Sequence, residues 1–299
     1  MRIIHKDEVI YTFSPDHPFA YEVDDGEEFL LETDDCYGGK IKTEKDLRPM
    51  LDESKLDAAV GPIRVKGARK GDVLCIEVLD IMLADQGVMM TNCGLGTLGE
   101  RITEPNTKVI KIKEGKAFFS EDLLLPLTPM VGVIGVLPEK GIFPATVPGD
   151  FGGNMDTKEV KVGTKVFLPV FIDGAGLAVA DLHACMGDGE LSGTGIETAG
   201  TVRLTVKVLK GSSISAPVLE TLDHIYLIST AKTFEDAVKA ACTRMTDLLS
   251  EKLDMSFPDS YRLMSAVCDI GISQVVNGVY TLKIRAPKSL TGPFDICHR

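Results

Sequence analysis

Residues 180–198, ADLHACMGDGELSGTGIET, set Asp181, His183, Asp188, Glu190 and Glu197 among four glycines, in a chain that holds only five histidines. The stretch LAVADLHACM predicts a strand, which puts Asp181 and His183, two positions apart, on one face. If GDG is a two-residue hairpin turn, pairing parity carries Glu190 to that face as well. Aspartate, histidine and glutamate converging on one patch can hold an open divalent-metal site whose bound water reacts near neutral pH. The competing reading is a solvated acidic hairpin in which the histidine pairs with a carboxylate, and the residue types alone leave both open.

Two further clusters could complete such a patch. TDDC (33–36) follows a strand and offers the adjacent carboxylates Asp34 and Asp35. PGDFGGNMD (148–156) carries Asn154 and Asp156 on a glycine-rich loop, where the backbone can approach a ligand closely or simply turn. An asparagine there can hold an amide or stabilise its own turn. Cys185, two residues after His183, is the candidate for a thiol nucleophile, against a packing role. His5, His17, His224 and His298 stand apart from these clusters.

Other motifs carry less. GLGTLG (94–99) has the form G-x-G-x-x-G, but a pyrophosphate site needs a helix to begin there, and the following ERITEPNTKVIKIKEG reads as loop and strand. It is expected to be a cluster of turn glycines. No Gly-x-Ser-x-Gly elbow occurs, and GSSIS (211–215) sits just past a strand end without a pattern that suggests a serine–lysine arrangement.

The elements that must position these groups are mostly strands. EEFLLET, GPIRVKG, GDVLCIEVLDIML, NTKVIKIKEG, EVKVGTKVFLPV and AGTVRLTVKVLKG alternate or are β-branched and end in turn residues. In the last of them Val202, Leu204, Val206 and Val208 share a face opposite Arg203, Thr205 and Lys207. From Thr233 the apolar positions recur every three or four residues, predicting a helix of about five turns with Thr233 and Asp236 as a capping pair. SFPDSYRLMSAVCDI predicts a second helix capped by Ser256, with Pro258 in its first turn, before a closing strand in GVYTLKIRAP. The fold class expected is mainly β, as sandwich- or barrel-like antiparallel sheets, with a small C-terminal α+β element. The chain divides on this reading into a β-rich body over 1–220, carrying the site, and an α+β element over 221–299.

Composition narrows the partners. With 44% hydrophobic and 25% charged residues over 299 positions, the chain reads as a folded protein with a large core. A net charge of −12 repels nucleic acid and anionic membrane surfaces and suits a small neutral ligand or a metal ion. Seven cysteines without a C-x-x-C pair point to reduced thiols and a cytoplasmic location. MRIIHKDEVIYTF lacks the apolar run of a secretory signal, and LLLPLTPMVGVIGVLP is too short and too broken to span a membrane.

Taken in order, GPIRVKGARKGDVLCIEVLDI, TPMVGVIGVLP with PGDFGGNMDT, LPVFIDGAGLAVADLHACMGDGELSGTGIE and PDSYRLMSAVCDIGISQVVNG resemble the signature segments of the acetamidase/formamidase family. The likeness runs over essentially the whole chain, with Ala180 where a glycine commonly precedes the aspartate. The resemblance implies a β-rich body with a small α+β element, hydrolysis of short linear amides to carboxylate and ammonia, and a homodimer or larger homo-oligomer. Residue roles rest on the residues themselves. Asp35, Asp181 and His183 are expected to bind a divalent metal, zinc first, with calcium or manganese as alternatives. Glu190 is the expected general base, Glu197 its reserve, and Asn154 and Asp156 are expected to hold the substrate. The alternatives are a non-catalytic metal- or ligand-binding β protein, and a hydrolase of another small C–N substrate.

Overall fold

The computed structural model describes residues 1–211 and 213–294. Cys297 and His298 therefore lie outside the described residues, as does Ser212 of the GSSIS stretch. The protein is 40% strand and 15% helix, the mainly β class that the alternating segments require.

Two large sheets carry the fold. The first has nine strands in the order Arg2–Ile4, Glu28–Thr33, Gly200–Leu209, Val73–Leu83, Lys165–Pro169, Val218–Glu220, His224–Ala231, Tyr280–Pro287 and Asp269–Gln274. All neighbours in it are antiparallel except the first pair. Period-two alternation decides its faces: Val202, Leu204, Val206 and Val208 are buried, whereas Lys207 between them is exposed. The second sheet is organised around Ala175–His183, all nine residues of which are buried. That strand pairs with Met130–Gly135 along one edge, and with Ala59–Val65 and then Glu197–Thr198 along the other. Covered on both faces, it loses the polar alternation that would mark a half-buried strand. The apolar inner faces of the two sheets form the main core, with Phe29, Leu31, Leu74, Ile76, Val133, Leu177 and Leu204 among its members.

Both helices form where their caps predict. The first spans Phe234–Leu253, with the Thr233 hydroxyl accepting the Asp236 N–H. The second spans Phe257–Val267, capped by Ser256 through the Asp259 N–H. Ala241, Met245, Leu249 and Met264 pack on the outer face of the nine-stranded sheet against Val73, Phe167 and Val218. The position 220/221 falls inside this sheet, which runs without a break from the body into the His224–Ala231 and Tyr280–Pro287 strands. The C-terminal segment therefore shares its ladder with the body, and the hairpin between Gln274 and Tyr280 reaches the site described next. Among the described residues no helix is long and apolar enough to cross a membrane.

Candidate active site

His183 ends the central strand and faces Glu197 directly across the ladder. Its Nε2 lies 3.0 Å from Glu197 Oε2, 3.2 Å from Asp181 Oδ2 and 4.0 Å from Asp156 Oδ1, with all four side chains almost wholly shielded from solvent. Donor atoms of Asp156, His183 and Glu190 gather within 4.8 Å of one another, and those of Cys36, Asp181 and Glu197 form a second such group. A cavity of about 250 Å³ opens against Asp57, Asn154, Asp181, Glu190, Glu197 and Asn277. Drug-sized ligands occupy about 300–1,000 Å³, so this one suits a small molecule.

The structure brings six of the seven predicted site residues together, by a route that differs in part. The tight hairpin expected at GDG does not form. Ladder bonds continue only to Cys185 and Ile196, and the intervening residues make a wider loop. Glu190 reaches the centre not by strand parity but from a turn of its own, with φ of 48° and the Gly193 N–H donating to its carbonyl. Neighbours hold that loop open: Thr97 N–H donates to Leu191 O at 2.8 Å, and Gly189 N–H to Ser273 O at 2.8 Å. GLGTLG begins no α-helix; instead it underlies this loop, and a Cβ on Gly96 would meet the Ser192 carbonyl oxygen at 2.5 Å.

Asp35 belongs to neither donor group. Its Oδ1 accepts the Tyr37 N–H at 3.0 Å and the Gly39 N–H at 2.8 Å, turning the chain after the Glu28–Thr33 strand. Asn154 donates to Asp57 Oδ2 at 3.2 Å and leaves its Oδ1 without a hydrogen-bond partner. Asp156 accepts the Asn277 side-chain N–H at 2.7 Å on Oδ2, while its Oδ1 turns toward His183 and Gly132. The Cys185 thiol donates to the Pro126 carbonyl at 3.1 Å and is in neither donor group.

Asp57 and Asn277 were not singled out from the sequence. Asp57 sits in LDESKLDAAV without any spacing pattern and arrives because its N–H donates to the Cys36 carbonyl. Asn277 precedes Gly278 and reads as hairpin-turn chemistry, which it also is. The buried Gln274 shapes that turn: its Oε1 accepts the N–H groups of Val276 and Asn277, and its amide donates to Val279 O and Thr281 Oγ1.

Backbone strain is concentrated here. Asp57, Asp156, Asp181 and Glu190 have φ of 52°, 42°, 60° and 48°, and they are four of the seven non-glycine residues with positive φ among those described. Left-handed backbone is costly away from glycine and persists where the surroundings impose it, often at functional sites. Gly132 shows one such constraint. A methyl at that position would overlap Asp181 Oδ2 and lie 2.7 Å from Asp156 Oδ1. Gly132→Ala is therefore expected to displace both carboxylates and cost about 1–3 kcal/mol by overpacking. Denaturant melts and an amide-hydrolysis assay on the same sample check this, and parental values in both would contradict it.

Electrostatics follow from burial. Desolvation lifts Asp156 and Asp181 to about 6, helped in Asp156 by the charge of Asp181 and opposed in both by His183. Burial, then neighbouring carboxylates, raise Asp57 and Glu190 well above the usual range. Burial opposes a charged His183, yet Glu197 and Asp181 together hold its pKa well above that of free imidazole. Five carboxyl groups and one imidazole thus share an enclosed space that disfavours their simultaneous ionisation.

These groups fit a divalent cation. Asp156 Oδ1, Asp181 Oδ1, both His183 nitrogens and Glu197 Oε2 are buried without an aligned hydrogen-bond partner, although His183 Nε2 is near two carboxylates. Two ligand atoms, each about 2.0–2.1 Å from one tetrahedral ion, lie roughly 3.3 Å apart, which is the spacing found around Nε2. That spacing is compatible with a shared central charge and equally with ion pairing of a protonated His183.

Fold and centre together define a β-rich protein with an enclosed carboxylate–histidine site for a small ligand. The family model described as "Acetamidase/Formamidase family" matches residues 3–146 and 144–290, and the chain belongs to that family. It is 28% identical over 264 residues to the acetamidase of Mycolicibacterium smegmatis, an alignment covering 66% of this chain and 65% of the relative. It is 27% identical over 256 residues to the formamidase of Methylophilus methylotrophus, covering 66% and 63%. The matched region is thus a little under two thirds of the length of these relatives. The crystal structure of an acetamidase from Bacillus halodurans superposes with a TM-score of 0.94 at 38% identity, covering 96% of this chain and 97% of that one. An acetamidase structure from Yersinia enterocolitica gives 0.92 at 27% identity, covering 97% and 93%.

Proposed function

We propose that the protein hydrolyses short linear amides of the formamide and acetamide type to carboxylate and ammonia, at a divalent-metal centre built on His183. The observation that carries this reading is the His183 imidazole, 3.0 and 3.2 Å from Glu197 and Asp181 without an aligned hydrogen bond, beside a cavity of about 250 Å³. His183, Asp181 and Glu197 would hold the ion, with Asp156 Oδ1 beside them. Asp35 leaves the ligand set of this proposal because its Oδ1 is committed to its own turn. Zinc suits a compact nitrogen and carboxylate set, and manganese or calcium would suit its oxygens. When bound, such an ion polarises a carbonyl and makes water more acidic.

The chain's own residues supply the rest. Asn154 lines the cavity and its Oδ1 has no partner, so it would accept an N–H of the amide, orienting its carbonyl toward the His183 group. Asn277 keeps Asp156 from rotating by donating to Oδ2. Glu190, whose burial raises its pKa above the usual carboxylate range, takes a proton from the attacking water on its carboxylate and returns it to the departing nitrogen. Homo-oligomeric assembly, as the family resemblance implies, belongs to this proposal and is checked by light scattering.

Ammonia release from formamide, acetamide and propionamide, before and after dialysis against a chelator, tests the reading. Turnover is expected to fall at least about 100-fold on chelation and to return with added Zn²⁺ or Mn²⁺. Full turnover in a sample shown metal-free by elemental analysis would overturn it.

A further inference from the structure

Lys283 lies on the Tyr280–Pro287 strand, far along the chain from every residue of the 181–197 segment, yet its side chain is only 5% exposed. Its Nζ donates to Glu159 Oε2 at 2.6 Å and to Asp188 Oδ1 at 2.5 Å. Lys158 holds the other oxygen of Asp188 at 2.9 Å. Across the ladder, Gly271 leaves room for the lysine stem, because a Cβ there would come within 3.1 Å of Lys283 Cε.

The two carboxylates bound by this ammonium belong to the two loops that supply the centre. Glu159 is three residues beyond Asp156, and Asp188 is two residues before Glu190. Asp156 and Glu190 both occupy left-handed backbone and belong to one donor group. The same C-terminal hairpin also binds these loops through its backbone and side chains. Gly189 N–H donates to Ser273 O, Val275 N–H donates to Gly189 O at 3.2 Å, and Thr157 Oγ1 donates to Ser273 Oγ at 2.9 Å.

We propose that Lys283 is a positioning residue, a charged strut that sets the distance between the Asp156 and Glu190 loops and so aims the Glu190 carboxylate into the cavity. The proposal rests on the reading of Glu190 as the proton carrier. An ammonium only 5% exposed is held by two carboxylates at once, and removing it would leave Glu159, itself only 13% exposed, without its counterion. Backbone bonds at Gly189 hold the loop to the hairpin; the side-chain bridge adds the tie from that loop to the 156–159 segment. Asp57 and Glu197, placed by other elements, need no such strut.

The test compares Lys283→Met, Lys283→Arg and Asp188→Asn in the full chain, each at its saturating metal concentration, with circular dichroism confirming the fold. In Lys283→Met, kcat is expected to fall roughly 10–100-fold, the scale of a small misplacement of a reacting group. KM should stay within about twofold, because the groups that hold the amide are untouched. Lys283→Arg should recover most of kcat, and Asp188→Asn, at a partly exposed position, should lower it in the same direction. If Lys283→Met does not fold, Asp188→Asn decides. Parental kcat in a folded Lys283→Met or Asp188→Asn variant would overturn the proposal and leave the network structural. Glu190→Gln, run alongside, separates the two claims: parental kcat there would remove the underlying reading, whereas an inactive Glu190→Gln beside an unaffected Asp188→Asn would remove only the strut.

Discussion

Glu190→Gln is expected to lower kcat by about 10²–10⁴-fold, the usual contribution of a positioned acid–base group. Glutamine preserves volume and hydrogen bonding, so the Gly193 turn and the Ser273 contact of the loop should survive. What disappears is the ability to take a proton and give it back. The carboxylate is suited to that exchange because burial, reinforced by Asp156, raises its proton affinity above that of a free carboxylate, while its left-handed backbone fixes its direction. Steady-state kinetics on acetamide, with unchanged metal content by elemental analysis, check the effect. A variant within about threefold of the parent would transfer the proton role elsewhere, and Asp57, a cavity-wall carboxylate raised by burial and outside the proposed ligand set, would be the next to replace.

Asp181→Asn is expected to abolish turnover and yet stabilise the metal-free protein at neutral pH. The sign follows from linkage. Asp181 titrates near 3.8 when unfolded and at about 6 when folded, chiefly because burial disfavours its charge. Between those values the native state binds more protons than the unfolded chain, so stability falls as pH rises, and the penalty is complete above about pH 6. Asparagine removes the penalty. Each tenfold change in proton affinity on folding is worth roughly 1.4 kcal/mol, so chelator-treated Asp181→Asn should exceed the parent by about 1–3 kcal/mol at pH 7.5. The difference should vanish at about pH 4 and below, where the carboxyl is protonated in both states. Urea melts at both pH values decide, and a variant that is less stable at pH 7.5 would show that the Asp181 charge is compensated by His183 without any cation. With metal present the order should reverse, since an ion bound only to the native state stabilises the parent.

The opposite stability expectations with and without a cation express one conflict in the design of this chain. A folded core is placed around carboxylates that it does not favour, and the backbone of four of them is held in a conformation that they do not prefer. Such a site is costly on its own and becomes coherent when a central charge is supplied.

Much of the scaffold was legible because it obeys local periods. Val202, Leu204, Val206 and Val208 announce their face by alternation, and Thr233 and Ser256 announce helix starts by the hydrogen bonds that their hydroxyls can make. Asp181 and His183 were legible as neighbours because they are two residues apart on a strand. Beyond that, local rules gave out. Parity placed Glu190 correctly for the wrong reason, since the chain leaves the ladder after Cys185 and returns through a left-handed turn. Asp35 carried the right residue type at a strand end, but its oxygen is consumed by the turn it makes possible.

By itself, then, the sequence determined the β class, the two capped helices and the pair of candidate ligands on the central strand, because each depends on residues within a few positions of one another. Only the tertiary structure decided the composition of the centre. Asp57, the Asn154–Asp156 loop and Asn277 come from three separate segments of the chain, and their convergence is imposed by the pairing of distant strands and by turns that take positive φ, neither of which has a local period to read. It also decided that the last quarter of the chain takes part in the site. A sheet continuous from Arg2 to Asp269 carries the C-terminal hairpin against the loops of the centre, where Asn277 and Lys283 meet carboxylates more than ninety residues away.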